Sequence, residues 1–316
     1  MEGKTLSSRM IKRYPLFLFF IAIFFVGLIM PSPIKKDVVE KIKIMTSIFP
    51  LMEFAKAVVG DRGDVELLLP PGAEVHTWQP KPSDLVRLNT ADLFIYIGAE
   101  LEPWAEDILR SVKEPKLRIL EACKELSLPT ASTAINHGHG AVDPHVWLDF
   151  HNDQTIIDGI TDILGEMDPS GASLYKKNAV SYKKKLQDLD LIYTKCLGKC
   201  EQRTIILGGH AAFGYLAKRY NLRQVSLYGL SPDSKPTPNQ LIDIVELVKE
   251  LGIKAIYFEV NVSNELAEVI AEETGARTLV LNPGASLSKK QMDSGVSFLE
   301  IMQKNLENLK DGLSCH

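Results

Sequence analysis

Three of the seven histidines in the chain sit where ligands gather in β/α proteins. His76 ends the stretch Gly72-Ala73-Glu74-Val75-His76, just past an apolar run. His210 follows Gly208-Gly209, directly after another, and His145 lies in Asp143-Pro144-His145 on a connection between the two. Neutral imidazole is a strong zinc ligand, and three imidazoles with a fourth position open are a common zinc arrangement. A single loop histidine is ordinarily just solvated. Three of them at the ends of β/α repeats point to a shared ion, because open α/β sheets bind ligands beyond the carboxyl ends of their strands. Glu259, after a further apolar run, is placed either to orient one ring or to ligate the ion itself. If the open position held an activated water, the site would be that of a zinc-dependent hydrolase with Glu259 or Glu74 as base. The sequence carries neither an H-E-x-x-H nor a G-x-S-x-G element. A surface adhesin with a structural metal is a third reading; its fold would depend on the ion.

These loops need a frame. Period-two and apolar runs predict strands at residues 41–47, 65–69 and 92–98, alternating with helices at 51–59, from 82 onward, and at 103–112. Residues 131–141 hold His137 and His139 between glycines and offer little to a core. A helix is expected at 152–166, interrupted at Asp168-Pro169. A lysine-rich helix of about 38 Å follows, at residues 170–195. Its polarity reads as an exposed connector. The alternation then restarts, with strands at 204–207, 225–228, 255–258 and 278–281. Helices separate them at 213–220, 238–251 (Thr237 as N-cap) and 264–274, and a last one closes the chain at 289–309. The fold class expected is α/β, two β/α lobes with mostly parallel sheets joined by one long connecting helix. The expected divisions are 1–40, a signal peptide or N-terminal membrane anchor; 41–168, an N-terminal metal-binding lobe; 169–200, the linking helix; and 201–316, a C-terminal metal-binding lobe.

A net charge of −4 and a pI near 6.0 give nucleic acid no electrostatic footing as a partner. Lys4, Arg9, Lys12 and Arg13 precede an unbroken apolar run at residues 16–30, so the chain beyond that run is expected to be exported. In an oxidising compartment some of Cys123, Cys196, Cys200 and Cys315 should pair. Cys196 and Cys200 are the nearest candidates for a disulfide, with free thiols as the alternative; Cys315 reads as part of a frayed tail.

Several motifs occur in a fixed order: Gly72 to His76, Pro82-Ser83-Asp84, Ala91-Asp92, Asp143-Pro144-His145-Val146-Trp147-Leu148-Asp149, Gly209-His210-Ala211-Ala212-Phe213-Gly214-Tyr215 and Phe258-Glu259. Over residues 41–310 this set resembles the cluster A-I (ZnuA/TroA-like) metal-binding receptors of bacterial ABC transporters. The resemblance implies a monomeric binding protein, not an enzyme, periplasmic or anchored on the outer face of the cytoplasmic membrane. It would carry metal between two lobes to an ABC permease. The family's ligands fall on His76, His145 and His210. A histidine as third ligand resembles the zinc-type members, which makes Zn2+ the expected cargo ahead of Mn2+. Many members carry an Asp ligand in Leu-Asp-Pro; here Leu281-Asn282-Pro283 stands in its place. Asn282 either offers a neutral carbonyl oxygen or leaves the position to water. His137 and His139 resemble a shortened form of the family's His-rich loop, an auxiliary metal-capture segment.

Overall fold

The computed structural model describes residues 40–316 apart from 114, 125, 127–141, 232–235 and 261–262. The N-terminal basic and apolar segment and the His137/His139 loop therefore lie outside the described residues. A first lobe is built by β1 (Ile42–Thr46), α1 (Phe49–Val59), β2 (Gly63–Leu67), α2 (Pro82–Leu88), β3 (Leu93–Tyr96), α3 (Ala105–Ser111) and β4 (Arg118–Glu121). Then come α4 (Phe150–Met167) and α5 (Ala172–Leu197). The second lobe comprises β5 (Thr204–Leu207), α6 (Gly214–Arg219), β6 (Arg223–Ser226), α7 (Pro238–Glu250), β7 (Ala255–Phe258), α8 (Glu265–Thr274), β8 (Arg277–Val280), α9 (Lys289–Ser294) and α10 (Phe298–Gly312).

Each lobe has a four-stranded parallel sheet, in the order β2-β1-β3-β4 and β6-β5-β7-β8. The two orders are the same when counted within each lobe. The inner strands β3, β5 and β7 are largely apolar on both faces because both faces are covered, while the edge strands keep polar, exposed positions. Leu93 and Ile95 turn to one core and Phe94 and Tyr96 to another. In the second lobe Ile205, Leu207, Ala255 and Tyr257 share that first core, while Ile206 and Ile256 face a third. One apolar core thus runs through both lobes, and each sheet has a smaller core of its own on the outer side.

The connecting helix differs from its sequence reading. It packs against α1, α4 and α10, so it touches both lobes along its length. Tyr175, Ala179, Tyr182, Leu186, Leu189, Tyr193 and Leu197, three or four residues apart, form one buried stripe. The lysines occupy the other faces, which is why average polarity suggested an exposed rod. At 26 residues it spans about 39 Å. The N-cap read at Thr237 is present: its Oγ1 accepts from the Gln240 N–H, and the Gln240 side chain accepts from the Thr237 N–H. Among the described residues no helix is long and apolar enough to cross a membrane.

The pairing expected between Cys196 and Cys200 is corrected by the structure: Cys200 is bonded to Cys315, and Cys196 is free. Cys196 belongs to the last turn of α5. Cys200 lies past it, in an antiparallel bridge with Cys315 that sets their Cα atoms 3.8 Å apart. The bonds Glu201 N–H to Ser314 O and His316 N–H to Lys199 O flank the pair. A short ladder, not proximity in sequence, chose the partner, and the tail is held rather than frayed.

Asp153, on the buried face of α4, is 0% exposed, and neither carboxylate oxygen has a hydrogen-bond partner among the described residues. Burial, with Asp149 nearby, pushes its pKa well above the ordinary carboxylate range. Between the unfolded value of about 3.9 and the raised folded value, the native state holds a proton that the unfolded chain has lost. Stability therefore falls as pH rises through that window, by up to about 1.4 kcal/mol per pH unit. Asp153→Asn should remove this slope, so the variant gains on the parent as pH rises from about 4. Urea unfolding at a series of pH values measures it; parallel curves for the two proteins would contradict it.

Candidate metal centre

The second lobe shows how the chain aims its histidine. β5 ends at Leu207 and Gly208-Gly209 turns the chain. A Cβ on Gly208 would lie 2.8 Å from the Cα of Ala267, the backbone of α8, and one on Gly209 would lie 2.4 Å from Glu259 Oε1. Glycine at both places lets α8 and Glu259 approach. Glu259 follows β7, the strand beside β5, so His210 and Glu259 meet at the crevice where the strand order reverses. One oxygen, Glu259 Oε1, accepts both the His210 backbone N–H at 3.1 Å and the ring Nδ1–H at 2.7 Å. Asp143 repeats the device in the first lobe: its Oδ1 accepts the His145 N–H at 3.0 Å and the ring Nδ1–H at 2.8 Å. His145 then leads into a turn of 3-10 helix, Val146–Leu148. His76 comes from the loop after β2, where Glu74 accepts its backbone N–H at 3.2 Å.

With their Nδ1–H groups donated to carboxylates, His145 and His210 turn their Nε2 atoms toward the cleft. These atoms are 3.1 Å apart, and His76 Nε2 is 3.3 Å from that of His145. All three ligand nitrogens lie within 4.8 Å of one another. Two nitrogens bound tetrahedrally to zinc at 2.0–2.1 Å are about 3.3 Å apart, so the spacing is that of a shared ion. Burial, followed by the neighbouring His145 and His210, pushes the His76 pKa down to about 2, which keeps that ring neutral. His210 differs. Burial would lower its pKa, but the charge and hydrogen bond of Glu259, with Glu74 and Asp143 behind, hold it above the usual value. Burial raises the Glu74 carboxyl against the opposing pull of His210.

The cavity around the rings has a volume of about 30 Å³. A water needs about 10–15 Å³ by the same measure, so the site has room for an ion and a small ligand and excludes anything larger. Asn282 lines it, but its Oδ1 accepts from the Gly284 N–H at 2.8 Å. Its backbone is clasped by Asn305, which accepts its N–H at 2.9 Å and donates to its carbonyl at 2.7 Å. Glu259 faces the far side of the His210 ring, in the orienting role. It and Glu74, the two bases a hydrolase would need, each accept from a histidine through one oxygen, Oε1. Asp143 was not singled out from the sequence, although its place two residues before His145 is the signal for a side chain that caps the following N–H. Trp147 packs behind the site with its indole N–H donated to Pro283 O at 2.7 Å.

Comparison with known proteins identifies the family. Residues 44–312 match the family model described as ZnuA, the zinc-uptake complex component A, periplasmic. The chain belongs to the ZnuA family. It is 39% identical over 282 residues to the high-affinity zinc uptake system protein ZnuA of Bacillus subtilis, covering 87% of this chain and 88% of that protein. It is 35% identical over 288 residues to the zinc-binding protein AdcA of Streptococcus pyogenes serotype M18, covering 85% of this chain and 56% of AdcA, so it spans a little over half of that relative. Among solved structures, the Zn(II)-bound ZnuA-like domain of Streptococcus pneumoniae AdcA superposes with a TM-score of 0.75 at 36% identity, covering 86% of this chain and 99% of that domain. ZnuA-family proteins are metal-binding transport receptors and not enzymes, which sets aside the hydrolase reading.

Proposed function

We propose that His76, His145 and His210 grip Zn2+ as cargo in the cleft, with Asp143 and Glu259 fixing two of the rings, and that the chain does so as a monomer. One observation supports this most strongly: two buried imidazoles with their Nδ1–H groups already donated to carboxylates hold their Nε2 atoms 3.1 Å apart. Two Nε2 atoms so placed call for one cation between them, a metal ion or a proton, and the third ring, His76, adds a further nitrogen that only a metal ion can use at the same time. An all-imidazole set favours zinc over manganese, which prefers carboxylate. As a component of a zinc-uptake system, the chain hands its ion to an ABC importer. It works outside the cytoplasmic membrane, where the Cys200–Cys315 bond is also at home.

Cargo must leave without taking the fold with it. Protein purified without added metal is expected to carry close to one zinc per chain by elemental analysis. A chelator should remove that zinc while the circular dichroism stays that of a folded protein. A stripped chain that unfolds would make the metal structural and overturn the cargo reading.

A further inference from the structure

Three histidines leave one tetrahedral position open, and the side chain nearest to hand by sequence, Asn282, has its oxygen engaged by Gly284. Another group in the cavity is unengaged. Ser286 lines the same cavity as the three rings, is 8% exposed, and its Oγ has no hydrogen-bond partner among the described residues. A buried hydroxyl without a partner is costly and calls for one. The segment that carries Ser286 is also fixed. Pro283 O accepts from the Trp147 indole at 2.7 Å, Ala285 O from the Phe49 N–H at 3.0 Å, and Leu287 O from the Gly72 N–H at 2.8 Å. Alternate carbonyls are thus pinned to the first lobe, and Ser286 sits between two of them. About 30 Å³ accommodates an ion and one water.

We infer that Ser286 is a positioning residue that holds a water as the fourth ligand of the zinc. The inference rests on the three-histidine reading above. It adds that the fourth ligand is solvent anchored by a hydroxyl, and not a protein carboxylate or the Asn282 amide. The hydroxyl accepts from the bound water and donates to the hydroxide formed when that water ionises. The second bond, to a charged acceptor, is the stronger.

The test uses the full exported chain with Ser286→Ala, and Co2+ as a spectroscopic stand-in for Zn2+. Loss of one neutral hydrogen bond should weaken zinc binding roughly 3- to 10-fold in a chelator competition. The pH midpoint of the cobalt visible band, which reports ionisation of the bound water, should move upward. Metal-free Ser286→Ala should melt where the parent does. If neither affinity nor midpoint changes, or if the affinity loss comes with a lower metal-free melting temperature and an unmoved midpoint, Ser286 is a packing residue and the inference fails. A parent whose cobalt spectrum is indifferent to His145→Ala would overturn the three-histidine reading instead, so the two failures are distinct.

Discussion

His145→Ala is expected to abolish tight zinc binding, raising Kd well past the ~10–100-fold that loss of an orienting carboxylate costs. His145 borders both other rings: its Nε2 lies 3.3 Å from that of His76 and 3.1 Å from that of His210, so removing it would leave the proposed ion with two imidazoles in place of three. Of the carboxylates around the cavity, Glu74 is held on the His76 backbone N–H through one oxygen. Asp143 loses its ring partner but is near enough to solvent to be hydrated, and Glu259 stays on His210. Glu259→Gln is the graded comparison. It keeps an acceptor for the His210 ring but removes the charge that favours Nδ1–H, and its loss should fall within about 10–100-fold. Zinc competition titrations on both variants, each shown folded without metal, measure the effect. His145→Ala with parental affinity would mean that the ion binds elsewhere.

Reduction of the Cys200–Cys315 bond, or Cys200→Ser, should cost about 2–4 kcal/mol of stability. The bond closes a loop of 115 residues that contains the whole second lobe, and it ties the end of α5 to the residues just after α10. In a protein of this size that loss corresponds to roughly 3–7 °C in melting temperature. Cys315→Ser should match it. Cys196→Ser should change little, because that thiol is unbonded at the end of α5. Thermal melts of the three variants with and without reductant decide the matter. A large effect of Cys196→Ser and none of Cys315→Ser would restore the local pairing suggested by sequence.

What could be read from the sequence was what is local. The strand runs, the Thr237 cap and the placing of His76 and His210 after strands depend on residues within a few places of one another, and the parallel sheets follow from their alternation. The Cys315 partner, the buried stripe of α5 and the unpaired Asp153 could not be read this way. Each depends on residues brought together from far along the chain. Cys200 meets Cys315 because a short antiparallel bridge pairs the residues just past α5 with those just past α10, and Tyr193 of α5 is buried because α10 covers it, its hydroxyl bonded to Met302 O. Ser286 was invisible for a related reason: a serine in a loop is ordinary until its hydroxyl is seen to be enclosed and unanswered.

The ladder of carbonyls at Pro283, Ala285 and Leu287 bears on how the ion leaves. The lobes do not hang from a loose joint; they share a core and are stitched at this seam, each stitch worth about 0.5–1.5 kcal/mol. Prising the cleft apart means undoing the stitches together, so thermal jostling in free solution seldom spills the cargo. A transporter that docks across both lobes would lower the cost of undoing them and so speed the release of the ion.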